Sequence, residues 1–153
     1  MKLDTVDLQV LDTLQKNSRI TTKNLAKQLG LTTTPVFERI KKLEREKIID
    51  NYVALVNPKK MGLSMSAFIS ISLKEHTRSF LDKFIDKVNS FKEVTECYHI
   101  AGDNDFILKV IVKDIDAYQT FILTKLSLVS HLGHVKTQFI LSKIKNTPPG
   151  LSL

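Results

Sequence analysis

Residues 25–45 read LAKQLGLTTTPVFERIKKLER and contain the spacing that predicts the fold of the first half. Ala26 precedes Gly30 by four positions, and the aliphatic Val36 follows six residues later. A small residue lets two helices cross closely, the glycine supplies the turn between them, and the aliphatic residue returns to their shared core. This spacing predicts a helix-turn-helix, and a plain helical hairpin is the simpler alternative.

The second helix of this motif has two different faces when it is unrolled at about 100° per residue. Val36, Ile40 and Leu43 fall together on one face, which is typical of a helix packed on a core. The opposite face is polar and mostly basic, and it comprises Thr34, Glu38, Lys41, Lys42 and Arg45. A helix in the major groove needs short polar groups for base edges near its N-terminus and cations for phosphates further along.

The predicted DNA-contacting residues lie on this helix and at its start. They are Thr32, Thr33, Thr34, Glu38, Arg39, Lys41, Lys42 and Arg45. Thr32 or Thr34 can also cap the helix, and Pro35 is tolerated in its first turn. Glu38 could accept a hydrogen bond from a cytosine, but pairing with Lys42 four residues on is the simpler interpretation. For the cations the alternative is a solvated surface, and we favour phosphate contact.

The charge distribution agrees with this interpretation. Residues 1–60 hold 12 Lys+Arg and 7 Asp+Glu, a net charge of +5, whereas residues 61–153 hold 11 and 9, a net charge of +2. A basic excess in one segment indicates an anionic partner, most often nucleic acid, although a solubilising surface has the same composition. Upstream of the motif, apolar residues at helical spacing predict one earlier helix; they are Val6, Val10, Leu11 and Leu14.

From Ile48 onward the pattern changes from helical to alternating. Residues 48–56 are rich in β-forming residues, and residues 57–62 have the composition of a linker. The elements then predicted are strand 69–73, helix 80–88, strand 94–101, strand 106–113, helix 115–126 with Asp114 as its cap, and strand 135–141. The order βαββαβ is that of a ferredoxin-like unit. We therefore expect an α+β chain with a DNA-binding domain over 1–56, a linker over 57–63 and a ferredoxin-like domain over 64–153.

Several classes of function are not expected. No apolar run reaches about 18 residues, so no membrane span is predicted, and the N-terminus lacks the apolar region of a secretion signal. Cys97 is the only cysteine, which excludes an intrachain disulfide and favours a reducing cytoplasm. Cys97 and His99 share one strand face but lack a third orienting group, and His131 and His134 lack partners for a zinc site. We expect no enzyme activity, no metal and no cofactor.

Motifs in a fixed order extend along nearly the whole chain. The first half contains Leu3-Asp4-x-x-Asp7, Asn17-x-Arg19-Ile20 and Leu29-Gly30-Leu31-Thr32 ahead of the basic helix. The second half contains Glu96-Cys97, Gly102-Asp103-x-Asp105-Phe106 and Asp114-x-x-Ala117-Tyr118. In this order and at these separations the chain resembles the Lrp/AsnC family, the leucine-responsive and asparagine-sensing transcription regulators of bacteria and archaea.

The resemblance implies a winged helix-turn-helix joined to a ferredoxin-like effector domain. It implies dimers formed mainly through the sheets, their assembly into octamers, and an amino-acid effector bound where dimers meet. The effector residues carried over are Gly102, Asp103, Asn104 and Asp105 in a turn, with Thr137 and Gln138 on the last strand. Asp105 can take the ligand's ammonium, and backbone N–H groups near Gly102 can hold its carboxylate. Without the resemblance, this turn has an ordinary hairpin composition.

Two departures from the family pattern concern the wing and the effector site. Lys47 follows the basic helix where the family usually has glycine, and a non-glycine residue in a left-handed conformation costs about 1 kcal/mol. The stretch Ser127–Gly133, before the last strand, is slightly longer than is common in the family.

The function expected from the sequence is a sequence-specific DNA-binding transcriptional regulator whose assembly or DNA affinity responds to a non-covalently bound amino acid. Its expected location is the cytoplasm, on the nucleoid, of a bacterium or an archaeon. Two alternatives stay open. One is an architectural, nucleoid-associated DNA-binding protein without an effector. The other is a metabolite-binding subunit or enzyme that uses the ferredoxin-like half.

Overall fold

The computed structural model describes residues 2–145, which divide into two compact units. Residues 2–55 form the first unit and Val56–Lys143 form the second, and Ile144 and Lys145 group with the first. The division falls one residue before the predicted linker at 57–63. That linker contains a short 3-10 helix, Pro58–Met61, which belongs to the second unit.

The first unit is a helix-turn-helix domain of three helices. They are α1 (Thr5–Lys16), α2 (Thr22–Leu29) and α3 (Thr33–Arg45). Their apolar faces meet in one core that contains Val10, Leu11, Leu14, Leu25, Ala26, Val36 and Leu43. Gly30 ends α2 in the left-handed conformation at φ 66°, and the N–H of Leu31 donates to the carbonyl of Ala26. The turn predicted from Ala26, Gly30 and Val36 is therefore formed.

The segment after α3 differs from the prediction. Residues 48–56, which are rich in β-forming residues, form no strand, because a β-ladder needs a second strand to pair with and the described part of the first unit provides none. Lys47 adopts the left-handed conformation at φ 56° even though it is not glycine. The N–H groups of Ile48 and Ile49 both donate to the carbonyl of Leu43, at 2.9 and 3.1 Å, and this closes the end of α3.

The second unit is a four-stranded antiparallel sheet with two helices. The strands are β1 (Met65–Leu73), β2 (Val94–His99), β3 (Phe106–Val112) and β4 (Leu132–Phe139), in the order β2-β3-β1-β4. The helices are α4 (Arg78–Asn89), between β1 and β2, and α5 (Ile115–Thr124), between β3 and β4. This is the expected βαββαβ order. β2 ends two residues before its predicted limit, and β4 lies two to three residues earlier than predicted.

Only one face of this sheet is covered by the helices. Alternate residues of β1 and β3, for example Ile69 opposite Leu108, are buried and pack against Phe84 of α4 and Phe121 of α5. The other face carries polar residues and partly exposed apolar ones, among them Phe68. Asp114 caps α5 as predicted, since its side chain accepts from the N–H of Ala117 at 2.9 Å. Among the helices within residues 2–145, none is both long and apolar enough to cross a membrane.

Candidate nucleic-acid interface and effector site

The N-terminus of α3 exposes the three threonines that were predicted to contact DNA. Thr32 is the N-cap residue by position, but its side chain makes no capping hydrogen bond. Thr33 and Thr34 follow in the first turn, and both are exposed. Three hydroxyl groups thus lie together at the start of the helix. In a recognition helix this is the part that contacts base edges.

The outer face of α3 is exposed at Glu38, Lys41, Lys42 and Arg45, while Val36 and Leu43 on the inner face are fully buried. Lys41 Nζ lies 2.9 Å from Glu44, and that contact, more than any other, lowers the pKa of the Glu44 carboxyl. The ion pair between Glu38 and Lys42, the simpler of the two interpretations of Glu38, is not formed. Neither side chain has an ion-pair partner within residues 2–145. Lys42 is therefore a cation available to a phosphate.

Arg39 lies apart from the other predicted DNA-contacting residues. Its Nη1 atom is 2.6 Å from Asp4 Oδ2 and 2.6 Å from Asp7 Oδ1, and the Asp7 side chain is only 6% exposed. The Asp7 backbone N–H and then the Arg39 guanidinium lower the pKa of Asp4. The hydrogen bonds from Arg39 to the Asp4 carboxylate and then to the Asp7 carboxylate raise the pKa of Arg39. Arg39 therefore connects α3 to the first turn of α1 through these ion pairs. Its sequence position did not indicate this role. Its contact with DNA stays a prediction.

Phe37 is an exposed aromatic residue that the sequence analysis missed. It is 45% exposed and lies on the flank of α3, between the core-facing residues and the polar face. Lys41 Nζ lies 5.8 Å from the centroid of its ring. Its exposure could have been predicted from its angular position on the helix. Phe37 lies about 100° from Val36 around the helix axis, which is too far for its ring to reach the core.

The predicted effector turn connects β2 to β3 and centres on Asp105. Asp105 Oδ2 accepts from the N–H of Leu73 at 2.7 Å, and Oδ1 lies 2.8 Å from His76 Nε2. The Leu73 N–H, and after it His76, lowers the pKa of this carboxyl. The backbone N–H of Asp105 donates to the carbonyl of Ile71 at 2.9 Å. Asp105 thus fixes the turn against the end of β1.

The other predicted effector residues are only partly brought together. Gly102, at φ 133°, and Asp103 are exposed in the turn beside Asn104. Thr137 and Gln138 are neighbours on β4, so their side chains point to opposite faces of the sheet. The Thr137 hydroxyl lies 2.5 Å from the hydroxyl of Tyr118, on the face that the helices cover. One pocket on a single face of this sheet can therefore contain only one of these two side chains.

The two residues considered for catalysis, Cys97 and His99, are exposed on β2. Cys97 and His99 are opposite Leu108 and Phe106 in the sheet, and the His99 ring stacks on Phe106 with centroids 4.7 Å apart. Over the described range 2–145, no group of three His, Cys, Asp or Glu side chains could hold a metal ion.

These two units define a class of protein, a DNA-binding regulator with a separate ligand-binding domain. The family model for the Lrp/AsnC ligand binding domain matches residues 66–150, and that for a winged helix-turn-helix DNA-binding domain matches residues 3–50. The chain belongs to the Lrp/AsnC family of transcriptional regulators.

Individual relatives agree with this assignment over almost their full length. The Bkd operon transcriptional regulator of Pseudomonas aeruginosa is 33% identical, over 97% of this chain and 98% of that protein. The leucine-responsive regulatory protein of Escherichia coli is 32% identical, over 95% and 88%. Among solved structures, a Neisseria meningitidis transcriptional regulator in complex with L-Met has a TM-score of 0.92 at 30% identity, covering 98% of this chain and 96% of that one. Escherichia coli AsnC has a TM-score of 0.88 at 28% identity, covering 95% and 97%.

Proposed function

We propose that α3 binds in the major groove of duplex DNA, with the threonines at its start facing base edges and Lys41, Lys42 and Arg45 facing phosphates. The observation that carries this proposal is the contrast between the two faces of the helix. Val36 and Leu43 are fully buried, while the opposite face exposes hydroxyl groups and cations. Glu38, which has no ion-pair partner among the described residues, is placed to accept from a cytosine amino group.

Phe37 adds an apolar contact to this proposed interface. Its ring is exposed on the flank of α3, and a phenylalanine at such a position can contact the methyl group of thymine. Lys41, whose ammonium lies over the ring, would bring a cation to the neighbouring phosphate at the same time. The proposal does not depend on Arg39, whose guanidinium holds Asp4 and Asp7, and the predicted DNA contact of Arg39 stays a prediction.

The effector that we propose is an amino acid, bound without a covalent link and without a cofactor. Support comes from the structural neighbour that was solved with L-Met, and from the turn that contains Gly102, Asp103, Asn104 and Asp105. Backbone N–H groups beside Gly102 would hold the carboxylate of the ligand. Asp105 would accept the ammonium, because each carboxylate oxygen can accept a second hydrogen bond beyond those from Leu73 and His76.

We further propose that the chain forms a homodimer through the uncovered face of its sheet, and that dimers assemble into octamers. That face carries Phe68 and Tyr98, which are 37% and 52% exposed, beside an ion pair between Glu96 and Lys109. Partly exposed aromatic residues around a paired charge are suited to burial against a second protein surface. A dimer would place two copies of α3 in successive major grooves, so the DNA site is expected to be close to palindromic.

The proposed setting is the cytoplasm of a bacterium or an archaeon, on the nucleoid, where a regulator meets its DNA. We do not assign an enzymatic activity, because the relatives named above are transcriptional regulators.

One alternative function is supported by the charge of the chain. A net charge of +7 would suffice for an architectural DNA-binding protein of the same fold that has no effector.

Selection from a pool of randomised duplexes tests the proposed roles on α3. The wild-type chain should enrich a near-palindromic site. Thr34→Ala should enrich a site with relaxed preference at one position in each half, because a base contact is lost. Lys42→Ala should enrich the same site as wild type, and Lys92→Gln, which removes an exposed cation from the second unit, is the matched control. Enrichment of no site by the wild-type chain would favour the architectural alternative.

A further inference from the structure

We propose that the second unit contains a second ligand site, a cleft between α4 and the loop before β4, which binds a small organic carboxylate with an apolar body and no ammonium group. The cleft has a volume of about 310 Å³, at the lower end of the range for small-molecule pockets. Its main lining residues are Phe80, Lys83, Phe84 and Lys87 on α4 and Val129–His131 in the loop. None of the predicted effector residues is among them, so this site is separate from the amino-acid site proposed above.

The charge of the lining selects an anion. Lys83 and Lys87 are one turn apart on α4 and therefore share a face. Neither ammonium has a carboxylate within ion-pair distance in the described part of the chain, and no acidic residue lines the cleft. Ser130 and His131 add a hydroxyl and an imidazole. A carboxylate would have several hydrogen-bond donors here, whereas an ammonium group would meet two like charges and no carboxylate.

The floor of the cleft is apolar and favours a ligand whose remaining part is apolar as well. Phe84 is 2% exposed and belongs to the core of the second unit, and Val129 is 9% exposed. The Phe80 ring lies against the His131 ring with centroids 3.7 Å apart, and Lys83 Nζ lies 5.8 Å from the Phe80 centroid. An apolar surface next to two cations matches a carboxylate that carries an aromatic or branched group.

The loop that forms one wall is held in a specific conformation. His131 has φ 62°, a left-handed conformation that is uncommon for a residue other than glycine. Its carbonyl accepts from the N–H of Lys74 at 2.9 Å. Gly133 passes so close to β1 that a Cβ atom would lie 3.0 Å from the carbonyl oxygen of Ser72. The longer stretch at 127–133 therefore builds a defined wall.

The cleft is connected to the predicted effector turn through two adjacent residues. His131 Nδ1 lies 3.5 Å from Glu75, and the next residue, His76, lies 2.8 Å from Asp105. A ligand that draws His131 toward the cleft would change the surroundings of the His76–Asp105 contact. Any such coupling is reciprocal, so an amino acid at the turn would change the affinity of the cleft by the same factor.

Calorimetric titration of the full chain with 3-phenylpropanoate tests this site. We expect saturable binding that Lys83→Gln/Lys87→Gln weakens about tenfold, because two charge-assisted contacts are lost. The matched control, Lys92→Gln/Lys113→Gln, removes two exposed cations of the same unit outside the cleft and should retain the wild-type affinity. Thermal melting of both variants checks that they fold. L-Phenylalanine has the same body with an ammonium group, and its binding should not change in the cleft variant.

Three results would overturn the proposal. The first is no binding of 3-phenylpropanoate up to about 20 mM, beyond which affinity is negligible. The second is an equal loss of affinity in the control variant, which would indicate a general charge effect. The third is a parallel loss of phenylalanine binding in the cleft variant, which would make the cleft an amino-acid site. Asp105→Asn should leave 3-phenylpropanoate binding in place, so failure of the proposed amino-acid site is distinguished from failure of the cleft.

Discussion

The outer face of α3 and the turn at residues 102–105 were both predicted to bind ligands, but their polar groups are occupied differently. On α3, Glu38 and Lys42 have no ion-pair partner within residues 2–145, and the threonines at its start are exposed. In the turn, both carboxylate oxygens of Asp105 already contact Leu73 and His76. The surface proposed to contact DNA therefore has free polar groups in one folded chain, whereas the turn proposed to bind the effector is first a structural element that needs further groups to form a pocket.

The same contrast exists within a single helix. Arg39 and Lys42 are both cations on α3, three residues apart, and both were predicted to contact DNA. Arg39 faces the start of α1 and is held by two carboxylates, while Lys42 faces outward. The charge of a side chain on α3 does not distinguish a proposed DNA contact from a structural ion pair. The face of the helix on which the side chain lies does distinguish them.

Removal of Arg39 should have the largest effect. Arg39→Ala leaves the nearly buried Asp7 carboxylate without its cation, and we expect a loss of about 2 kcal/mol in the free energy of unfolding. Urea unfolding of the full chain, followed by circular dichroism, measures it. The control is Lys42→Ala, an exposed change on the same helix that should cost less than about 0.5 kcal/mol. Equal destabilisation by the two substitutions would contradict the distinction drawn between them.

A smaller effect is expected from Asp105→Asn, which keeps the shape of the side chain and removes its charge. The pKa of Asp105 is lowered in the folded state, so its carboxylate stabilises the fold above the unfolded value of about 3.9. That stabilisation is lost as the pH falls through the lowered folded value. Wild type should melt above the variant at pH 7, by a difference worth about 1 kcal/mol, and the gap should close below about pH 4. A gap that is independent of pH would assign the effect to packing instead.

Next in size is the loss of a single phosphate contact. Lys42→Ala should reduce the binding free energy by about 1 kcal/mol for selected and random duplexes alike. It should also reduce the slope of log affinity against log salt by about 0.9. Fluorescence anisotropy over a series of salt concentrations gives both numbers. Lys92→Gln provides the baseline for the removal of a distant charge. If Lys42→Ala changed sequence preference but not the salt slope, Lys42 would be a base contact.

The smallest change concerns Phe37. If its ring contacts a thymine methyl, replacement of thymine by deoxyuridine in the selected site should weaken wild-type binding by roughly 0.5–1 kcal/mol. Phe37→Ala should bind the two duplexes equally well. Phe37→Leu should retain part of the wild-type difference in affinity between them. Paired anisotropy titrations measure the difference. Equal sensitivity to deoxyuridine in wild type and Phe37→Ala would remove Phe37 from the proposed interface.

The parts of the fold that the sequence predicted depend on local spacing. Ala26, Gly30 and Val36 define the helix-turn-helix because close crossing, a left-handed turn and a core position are each satisfied by one residue type. The alternation along residues 106–112 predicts β3 because one face of the sheet is covered and the other is not. Neither inference requires knowledge of distant residues.

The features that the sequence did not predict depend on partners far along the chain. Arg39 contacts carboxylates 32 and 35 residues away, and nothing in the composition of α3 separates it from its basic neighbours. Residues 48–56 have strand propensity but no strand beside them in the described part of their unit, so propensity alone does not form a strand there. The left-handed conformation of His131 was likewise not predicted, and its carbonyl accepts from the N–H of Lys74, far away along the chain.

The most direct test of the central claim is fluorescence anisotropy of the full chain on a duplex from its own upstream region and on a scrambled duplex, at physiological salt. Each titration is made with and without a mixture of the common amino acids. We predict tighter binding to the upstream duplex and a change in that affinity when the mixture is present. Equal binding to both duplexes with no response to the mixture would contradict the account and leave an architectural DNA-binding protein whose turn at residues 102–105 is only a hairpin.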